Sequence, residues 1–421
     1  MDKPKERDYM FDTFRGLLML SIPVSHFTKM AGNQYAALYT GGGFDTPTLA
    51  GFIYVTINVF VMQAFMFLSG YFSKKPERAR ETAFTTFMWP SVVFTTVYFV
   101  IRYLFFGNAH LDYLTPPFAL WFLFALFFYR YFLGSMTKFQ WLLPFSLIMV
   151  LVAGQVKEFG DWMSLGRMIS YYPFFLIGFY CSKERLAWLR RLKHHPVWLT
   201  LLGVSLVGIS ILLINVGPRP GWYLLREYVG SFKGMPWYAD TFYRIVLMIL
   251  PSAWIIFMVN VLPSKKGFLA FVGTNTMPIY MFHLTLRYVI QFFGMYVCGF
   301  ACLTVAWFSA VSLVFRKWKN NVAYGIVIVL SIVGWYFFYA SGVLDPLVGL
   351  CPQNKAVFYL LTYGSALLCG VSFVAPFWIK LYDIMVDGPL HAPFLTRFLT
   401  GPHKPEVEVE TKDEAAQPVQ A

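Results

Sequence analysis

Residues 11–31 read FDTFRGLLMLSIPVSHFTKMA. From Thr13 onward this run holds about 20 mostly apolar residues, which is the length that an α-helix needs to cross a bilayer. An aspartate, an arginine and a histidine nevertheless stand in the stretch, at positions 12, 15 and 26. Ionisable residues are costly in a membrane helix, so their presence there points to function. The stretch therefore predicts a first membrane-spanning helix that also carries part of a functional site.

The composition of the whole chain points to the same class of protein. Of the 421 residues, 58% are hydrophobic and only 13% are charged, against about 25% charged in an average soluble domain. The mean hydropathy is +0.57. These values exclude a soluble globule or a disordered chain as the main interpretation. The five cysteines form no C-x-x-C pair, so neither a disulfide framework nor a metal site is indicated.

Apolar windows recur along most of the chain, and they predict an all-α, polytopic transmembrane helical bundle of 10–12 spans. The candidate windows lie near 13–31, 51–72, 84–106, 117–134, 140–156, 166–182, 197–216, 240–262, 270–294, 297–315, 321–341 and 356–380.

The basic residues predict that the N-terminus and the C-terminus are both cytoplasmic. With that orientation, 23 of the 34 lysines and arginines fall in cytoplasmic segments, 7 on the outer side and 4 inside spans. Cytoplasmic loops of membrane proteins carry such an excess of Lys and Arg. The net charge of +13 is explained in this way, and we do not expect nucleic acid as a partner.

Spacing relates the ionisable residues of the first helix to one another. Arg15 and His26 are eleven residues apart, so they share a helix face and lie about 16 Å apart along the axis. Asp12 stands three residues before Arg15, within pairing distance. An arginine can hold phosphate and a buried histidine can take a proton from a hydroxyl, which suits an elongated substrate such as an acyl-coenzyme A. The alternatives are an arginine that snorkels to the interface and a histidine that only bonds a neighbouring helix.

Two further groups of residues are candidates for the same site. His283 shares a helix face with Arg287; it either faces the cavity of His26 or is a satisfied core histidine. A loop after the second window carries four cations that either set topology or bind phosphate groups of the donor. These four residues are Lys74, Lys75, Arg78 and Arg80.

Several segments, in order along the chain, resemble the acyltransferase family three membrane proteins, with the closest likeness to the fucose 4-O-acetylase-like branch. That family opens with an Asp-x-x-Arg-Gly run followed by a histidine eleven residues after the arginine, as here from Asp12 to His26. The other similar segments are FMFLSGYFSKK at 65–75, LWFLFAL at 120–126, YPFFLIGFY at 172–180 and IYMFH at 279–283.

The resemblance implies an integral membrane O-acyltransferase that moves an acyl group, often acetyl, from cytoplasmic acyl-CoA to a hydroxyl of a glycan or other cell-envelope molecule. It places the family's functional residues on His26 and Arg15. Supporting roles are expected for Asp12, His283 and Trp121. Acetyl-CoA is the expected co-substrate, with no bound cofactor and no metal. The family's basic pattern before the third helix is missing, because residues 82–90 hold no cation.

The expected organisation is a transmembrane acyltransferase domain over residues 1–380, with the resemblance over 8–295 and extra helices beyond it. Residues 381–421 are expected to form a cytoplasmic tail that is disordered from about 401. The expected location is a cell membrane, by resemblance the bacterial cytoplasmic membrane, with the lipid bilayer and a glycan or other hydroxyl-bearing acceptor as partners.

The alternative functions are a secondary transporter of a small anionic or sugar substrate and a partner subunit with a degenerate site. Whether His26 acts as a general base or carries the acyl group is open at this point, as are acceptor, acyl length and oligomeric state.

Overall fold

The computed structural model describes most of the chain. The described residues are 8–34, 48–107, 109–117, 119–159, 162–216, 225, 236–293, 298–315, 321–343, 356 and 359–390. Their regular structure is entirely helical, which confirms the all-α prediction for this part of the chain. The α-helices are α1 Met10–Gln34, α2 Leu49–Tyr71, α3 Pro76–Ala83, α4 Trp89–Phe106, α5 Trp121–Met136, α6 Leu142–Ala153, α7 Leu165–Tyr180, α8 Lys183–Leu189, α9 Pro196–Val216, α10 Trp237–Val261, α11 Phe268–Thr274, α12 Thr276–Phe293, α13 Cys298–Phe315, α14 Asn321–Ala340, α15 Ser365–Ser372 and α16 Pro376–Leu390.

Short polar side chains cap the start of two of these helices. Thr48 accepts a hydrogen bond from the Gly51 amide at the start of α2, at 3.1 Å. Ser182 accepts one from the Arg185 amide at the start of α8, at 3.2 Å. Each oxygen satisfies an amide that the first helical turn leaves without a carbonyl partner.

Helix α1 lies inside the bundle, where it packs against α2, α11, α12 and α15. Its contact with α11 depends on two glycines. A Cβ on Gly16 would overlap the carbonyl of Leu269, and a Cβ on Gly273 would overlap the carbonyl of Asp12. Small residues let membrane helices approach closely. The glycine that follows Arg15 therefore has a packing role, and it brings the charged end of α1 against α11.

A second pair of glycines joins α2 to α7. A Cβ on Gly70 would overlap the carbonyl of Phe175, and a Cβ on Gly178 would overlap the carbonyl of Phe67. Both glycines belong to segments that carry the family resemblance. Their shared role is to hold the two helices in backbone contact.

Among the described residues, four continuous helical stretches are long and apolar enough to cross a membrane, and one bent pair could form a fifth span. The four are Leu49–Tyr71, Pro76–Phe106, Pro196–Asn215 and Trp237–Val261; the pair, Leu360–Ser372 and Pro376–Leu390, is bent by 68°. Every predicted window coincides with at least one helix, but α5, α6 and α7 have only 16, 12 and 16 residues. A 12-residue helix is about 18 Å long, which is shorter than the bilayer core. α1 has 25 residues and is long enough to cross it, but it is more polar than the four stretches named above. The count of 10–12 spans and the cytoplasmic termini stay predictions.

Apolar side chains on the outside of the bundle fit a lipid surface. In α9, Val204 is 64% exposed and Leu212 is 57% exposed, and in α14 Leu330 is 64% exposed. Contiguous exposed apolar faces are rare on soluble proteins, and these helices therefore mark the chain as membrane-embedded.

The last described helix crosses the predicted end of the transmembrane domain. α16 continues ten residues beyond position 380, and its Val386 carbonyl accepts a hydrogen bond from the Trp89 indole at 2.7 Å. Residues 381–390 are thus part of the packed bundle. The predicted disorder from about 401 lies outside the described residues.

Candidate functional site

Two histidines from distant parts of the sequence meet inside the bundle. His26 on α1 and His283 on α12 place Nδ1 and Nε2, respectively, 3.0 Å apart. Their rings are nearly parallel, with an interplanar angle of 24°. His283 is completely buried, whereas His26 is half-buried. Of the two possibilities for His283, the structure therefore favours the core histidine: it does not line the cavity beside His26, but it bonds the candidate catalytic histidine.

The backbone of α12 determines which nitrogens of this pair carry protons. His283 Nδ1 lies 2.7 Å from the carbonyl oxygen of Ile279. A carbonyl can only accept, so Nδ1 of His283 carries the hydrogen and, in a neutral ring, its Nε2 must be the acceptor. His26 Nδ1 then donates to it. The neutral His26 ring is left with an unprotonated Nε2, which is the form that a general base or a nucleophile needs.

A polar cavity of about 340 Å³ lies beside His26. Its lining includes Tyr54 and Asn58 of α2, Trp121 of α5, Arg167 of α7 and Tyr280 of α12. On α1, the cavity extends from Ile22 through His26 to Lys29. Hydroxyl, amide, indole and cationic groups therefore surround the histidine, as expected where a polar substrate binds in a mostly apolar wall.

A narrower cavity of about 160 Å³ follows along α1 toward Arg15. Arg15, Met19 and Ile22 line it from one face of the helix, at the i, i+4 and i+7 spacing of a single stripe. Ile22 and Tyr280 line both this cavity and the polar one. The predicted stripe from Arg15 to His26 thus borders two adjoining cavities that are separated by these two side chains.

The arginine end of the narrow cavity has buried polar atoms without an internal partner. Arg15 Nη2 donates to the Asp12 carboxylate, and Asp12 is 3% exposed. In contrast, Arg15 Nε, Arg130 Nε and Ser69 Oγ are buried and have no hydrogen-bond partner in the structure. All three residues line the narrow cavity. Buried donors of this kind are costly to leave unpaired, and an oxygen-rich ligand would satisfy them.

A basic pocket of about 500 Å³ adjoins the same end. Lys75, Arg78 and Arg130 line it, and it shares Phe72 and Arg130 with the narrow cavity. The three cavities therefore adjoin in sequence, with cations at one end and His26 near the other.

The four predicted loop cations separate into two groups. Lys75 and Arg78 line the basic pocket. Lys74 lines it too, but its ammonium donates to the carbonyls of Gly178, Phe179 and Cys181 at the end of α7. These three bonds use every donor of a lysine, and burial lowers the pKa of this ammonium.

The remaining loop cation, Arg80, stacks on the Tyr131 ring at 4.8 Å and does not line the pocket. Lys74 and Arg80 therefore have structural contacts of their own. The other cations that line the pocket are Lys75, Arg78 and Arg130 of α5.

Sequence reasoning missed three residues of this arrangement. Arg130 is not among the predicted site residues, although it follows directly on the apolar run of α5, and its guanidinium lies 4.8 Å from the Phe87 ring centroid. Arg167 is not among the predicted site residues either, yet it stacks on Trp121 at 4.8 Å. Tyr280, whose hydroxyl donates to the Ala119 carbonyl, was noted only as part of a motif. A cation at the edge of an apolar window was the available signal for both arginines.

Comparisons with known protein families, with curated proteins and with solved structures find no match to this chain.

Proposed function

We propose that this protein is a membrane O-acyltransferase that moves an acyl group, in the first instance acetyl, from acyl-CoA to the hydroxyl of an acceptor. The observation that carries the proposal is the series of three adjoining cavities that ends beside His26, whose Nδ1 lies 3.0 Å from Nε2 of His283. The motif resemblance adds to it.

The basic pocket and the narrow cavity match the two parts of an acyl-CoA donor. Phosphate groups would bind the Lys75 ammonium and the guanidinium groups of Arg78 and Arg130. Planar guanidinium groups hold phosphate oxygens in pairs. The amide-bearing arm of the donor would lie in the narrow cavity, where the Nε–H groups of Arg15 and Arg130 are available to its carbonyl oxygens. The thioester would then reach the boundary formed by Ile22 and Tyr280.

The acceptor would occupy the polar cavity, with its hydroxyl at His26 Nε2. In the proposed reaction, His26 takes the hydroxyl proton while the oxygen attacks the thioester carbonyl carbon. A C–O bond forms, the C–S bond breaks, and the proton passes from His26 to the departing thiolate. The products are the acyl ester and free CoA thiol.

The pair with His283 supports the role of a general base. When His26 gains a proton it becomes a cation, and the lone pair of His283 Nε2 accepts a charge-assisted hydrogen bond from it. Because the Ile279 carbonyl holds His283 in one tautomer, this stabilisation needs no rearrangement during the reaction.

The test is transfer of label from acetyl-CoA in inverted membrane vesicles. Wild type should label a lipid or glycan fraction, and His26→Ala and Arg15→Ala should abolish or strongly reduce the labelling. His110→Ala is the control, because His110 is exposed and lines none of the three cavities. Labelling that persists in His26→Ala would refute the proposal, and uptake of a solute without acetyl-CoA consumption would favour the transporter alternative.

A further inference from the structure

The polar cavity beside His26 carries positive charge that the transfer reaction itself does not require. Lys29 follows His26 by three residues, so both lie on one face of α1, with Lys29 farther from Arg15. Arg167 enters the same cavity from α7.

Arg167 is held in place at the cavity wall. Its guanidinium lies 4.8 Å from the ring centroid of Trp121, and it follows an unusual backbone turn in which Met163 and Ser164 have φ angles of +49° and +53°. Positive φ is costly for residues other than glycine. Ser164 is buried and also lines the cavity, so this strained turn leads the start of α7 into the cavity wall.

The rest of the lining suits a sugar. Tyr54 and Tyr280 supply aromatic surfaces, and the Asn58 side-chain carbonyl and the Thr115 hydroxyl supply groups that bond hydroxyls. The volume of about 340 Å³ is in the range of small-molecule sites.

We propose that the acceptor is an anionic sugar, in which a carboxylate or phosphate binds Lys29 and Arg167 while a hydroxyl is presented to His26. This inference rests on the proposed function and adds the charge class of the acceptor. An anionic acceptor would be attracted to the cavity, and the two cations would orient it. Neutral sugars of the same shape would lose that interaction.

Binding of matched probes to the full-length protein tests this without relying on turnover. The probes are an oligogalacturonate and its methyl ester, which differ in charge but not in ring hydroxyls, with mannose 6-phosphate and mannose as the phosphate arm. The melting temperature of the purified protein in detergent at low salt reports binding. We expect the oligogalacturonate or mannose 6-phosphate to raise the melting temperature, and the corresponding neutral probe, the methyl ester or mannose, to leave it unchanged.

Variants then locate the binding site. Lys29→Met and Arg167→Gln should each raise the Kd for the anionic probe at least tenfold. Arg167→Lys keeps the charge and should retain the preference for the anion. Lys157→Met is the matched control, because Lys157 is exposed and does not line the cavity. Stabilisation by acetyl-CoA should be equal in all four variants.

Three results would overturn the inference: equal shifts with charged and neutral probes, no shift with either anion, or an anion shift that survives in a Lys29→Met/Arg167→Gln double variant. A shift that needs both cations, together with no transfer of label that depends on His26, would leave the anion site standing and refute the acyltransferase proposal instead. The two failures are therefore distinguishable.

Discussion

Replacing His283 by leucine tests the proposed dependence of His26 on its buried partner. The change removes the acceptor that lies 3.0 Å from His26 Nδ1 and fills the space with a side chain of similar size. A hydrogen bond to a charged group contributes about 1.5–3 kcal/mol. At about 1.4 kcal/mol for each factor of ten in rate, kcat should fall roughly 10- to 150-fold. KM for acetyl-CoA should not change, because His283 lines none of the cavities.

The assay is acetyl transfer in inverted vesicles at saturating acetyl-CoA, normalised to the amount of folded protein. His283→Gln should keep more activity than the leucine variant, because its amide can donate to the Ile279 carbonyl and accept from His26 together. Tyr98→Phe is the matched control, since it removes a buried 2.8 Å hydrogen bond to the Met281 carbonyl of the same helix but leaves the histidine pair intact. A leucine variant with more than half the wild-type kcat, or one that changes only KM, would refute the reasoning.

The remaining predictions concern packing, donor binding and pH. Gly16→Val should destabilise the protein by about 1–3 kcal/mol or prevent folding, because its Cβ overlaps the backbone of α11, whereas Gly208→Val, with no atom within 4 Å, should melt like wild type in a thermal scan. Arg130→Gln should raise KM for acetyl-CoA about tenfold, and Arg80→Gln, which changes a residue outside the cavities, should leave the same kinetic measurement unchanged. Burial acts to raise the pKa of the Asp8 carboxyl, but the hydrogen bonds that it accepts from the Met10 amide and the Arg190 guanidinium hold that pKa below its usual value. This carboxylate therefore stabilises the fold above its unfolded pKa of about 4, and the contribution is lost as pH falls through the lower folded value. Asp8→Asn should lower the free energy of unfolding by less than about 1 kcal/mol at pH 7, since the pair is partly exposed. In thermal scans, the difference between this variant and wild type should disappear in acid.

The ionisable stripe of α1 was predictable because it depends on one helix alone. Eleven residues are three helical turns, so the spacing of Arg15 and His26 already puts them on one face. The structure adds that the same stripe continues through Ile22, where the two cavities meet. Local periodicity is sufficient for such a statement, and tertiary packing does not alter it.

The histidine pair and the donor arginine depend on contacts between distant segments. His26 and His283 are 257 residues apart, and periodicity cannot tell which helix faces α1. Arg130 comes beside Arg15 only because α5 and α1 border the same cavity. The close contact that places α11 beside α1 needs Gly16 and Gly273 together, and a glycine in one helix does not identify its partner in another. The acyltransferase activity itself stays a prediction, because no comparison identifies a family.

The boundary formed by Ile22 and Tyr280 has a consequence for the energy balance of the cell. A continuous wet path through a membrane protein would conduct ions, and each elementary charge that crosses releases about 2.3 kcal/mol per 100 mV. Ile22 offers no group that relays a proton, and the Tyr280 hydroxyl is buried against the Ala119 carbonyl. In the proposed reaction, a boundary of this kind between the two cavities would let an uncharged acyl group pass to the acceptor while the gradient across the bilayer is preserved.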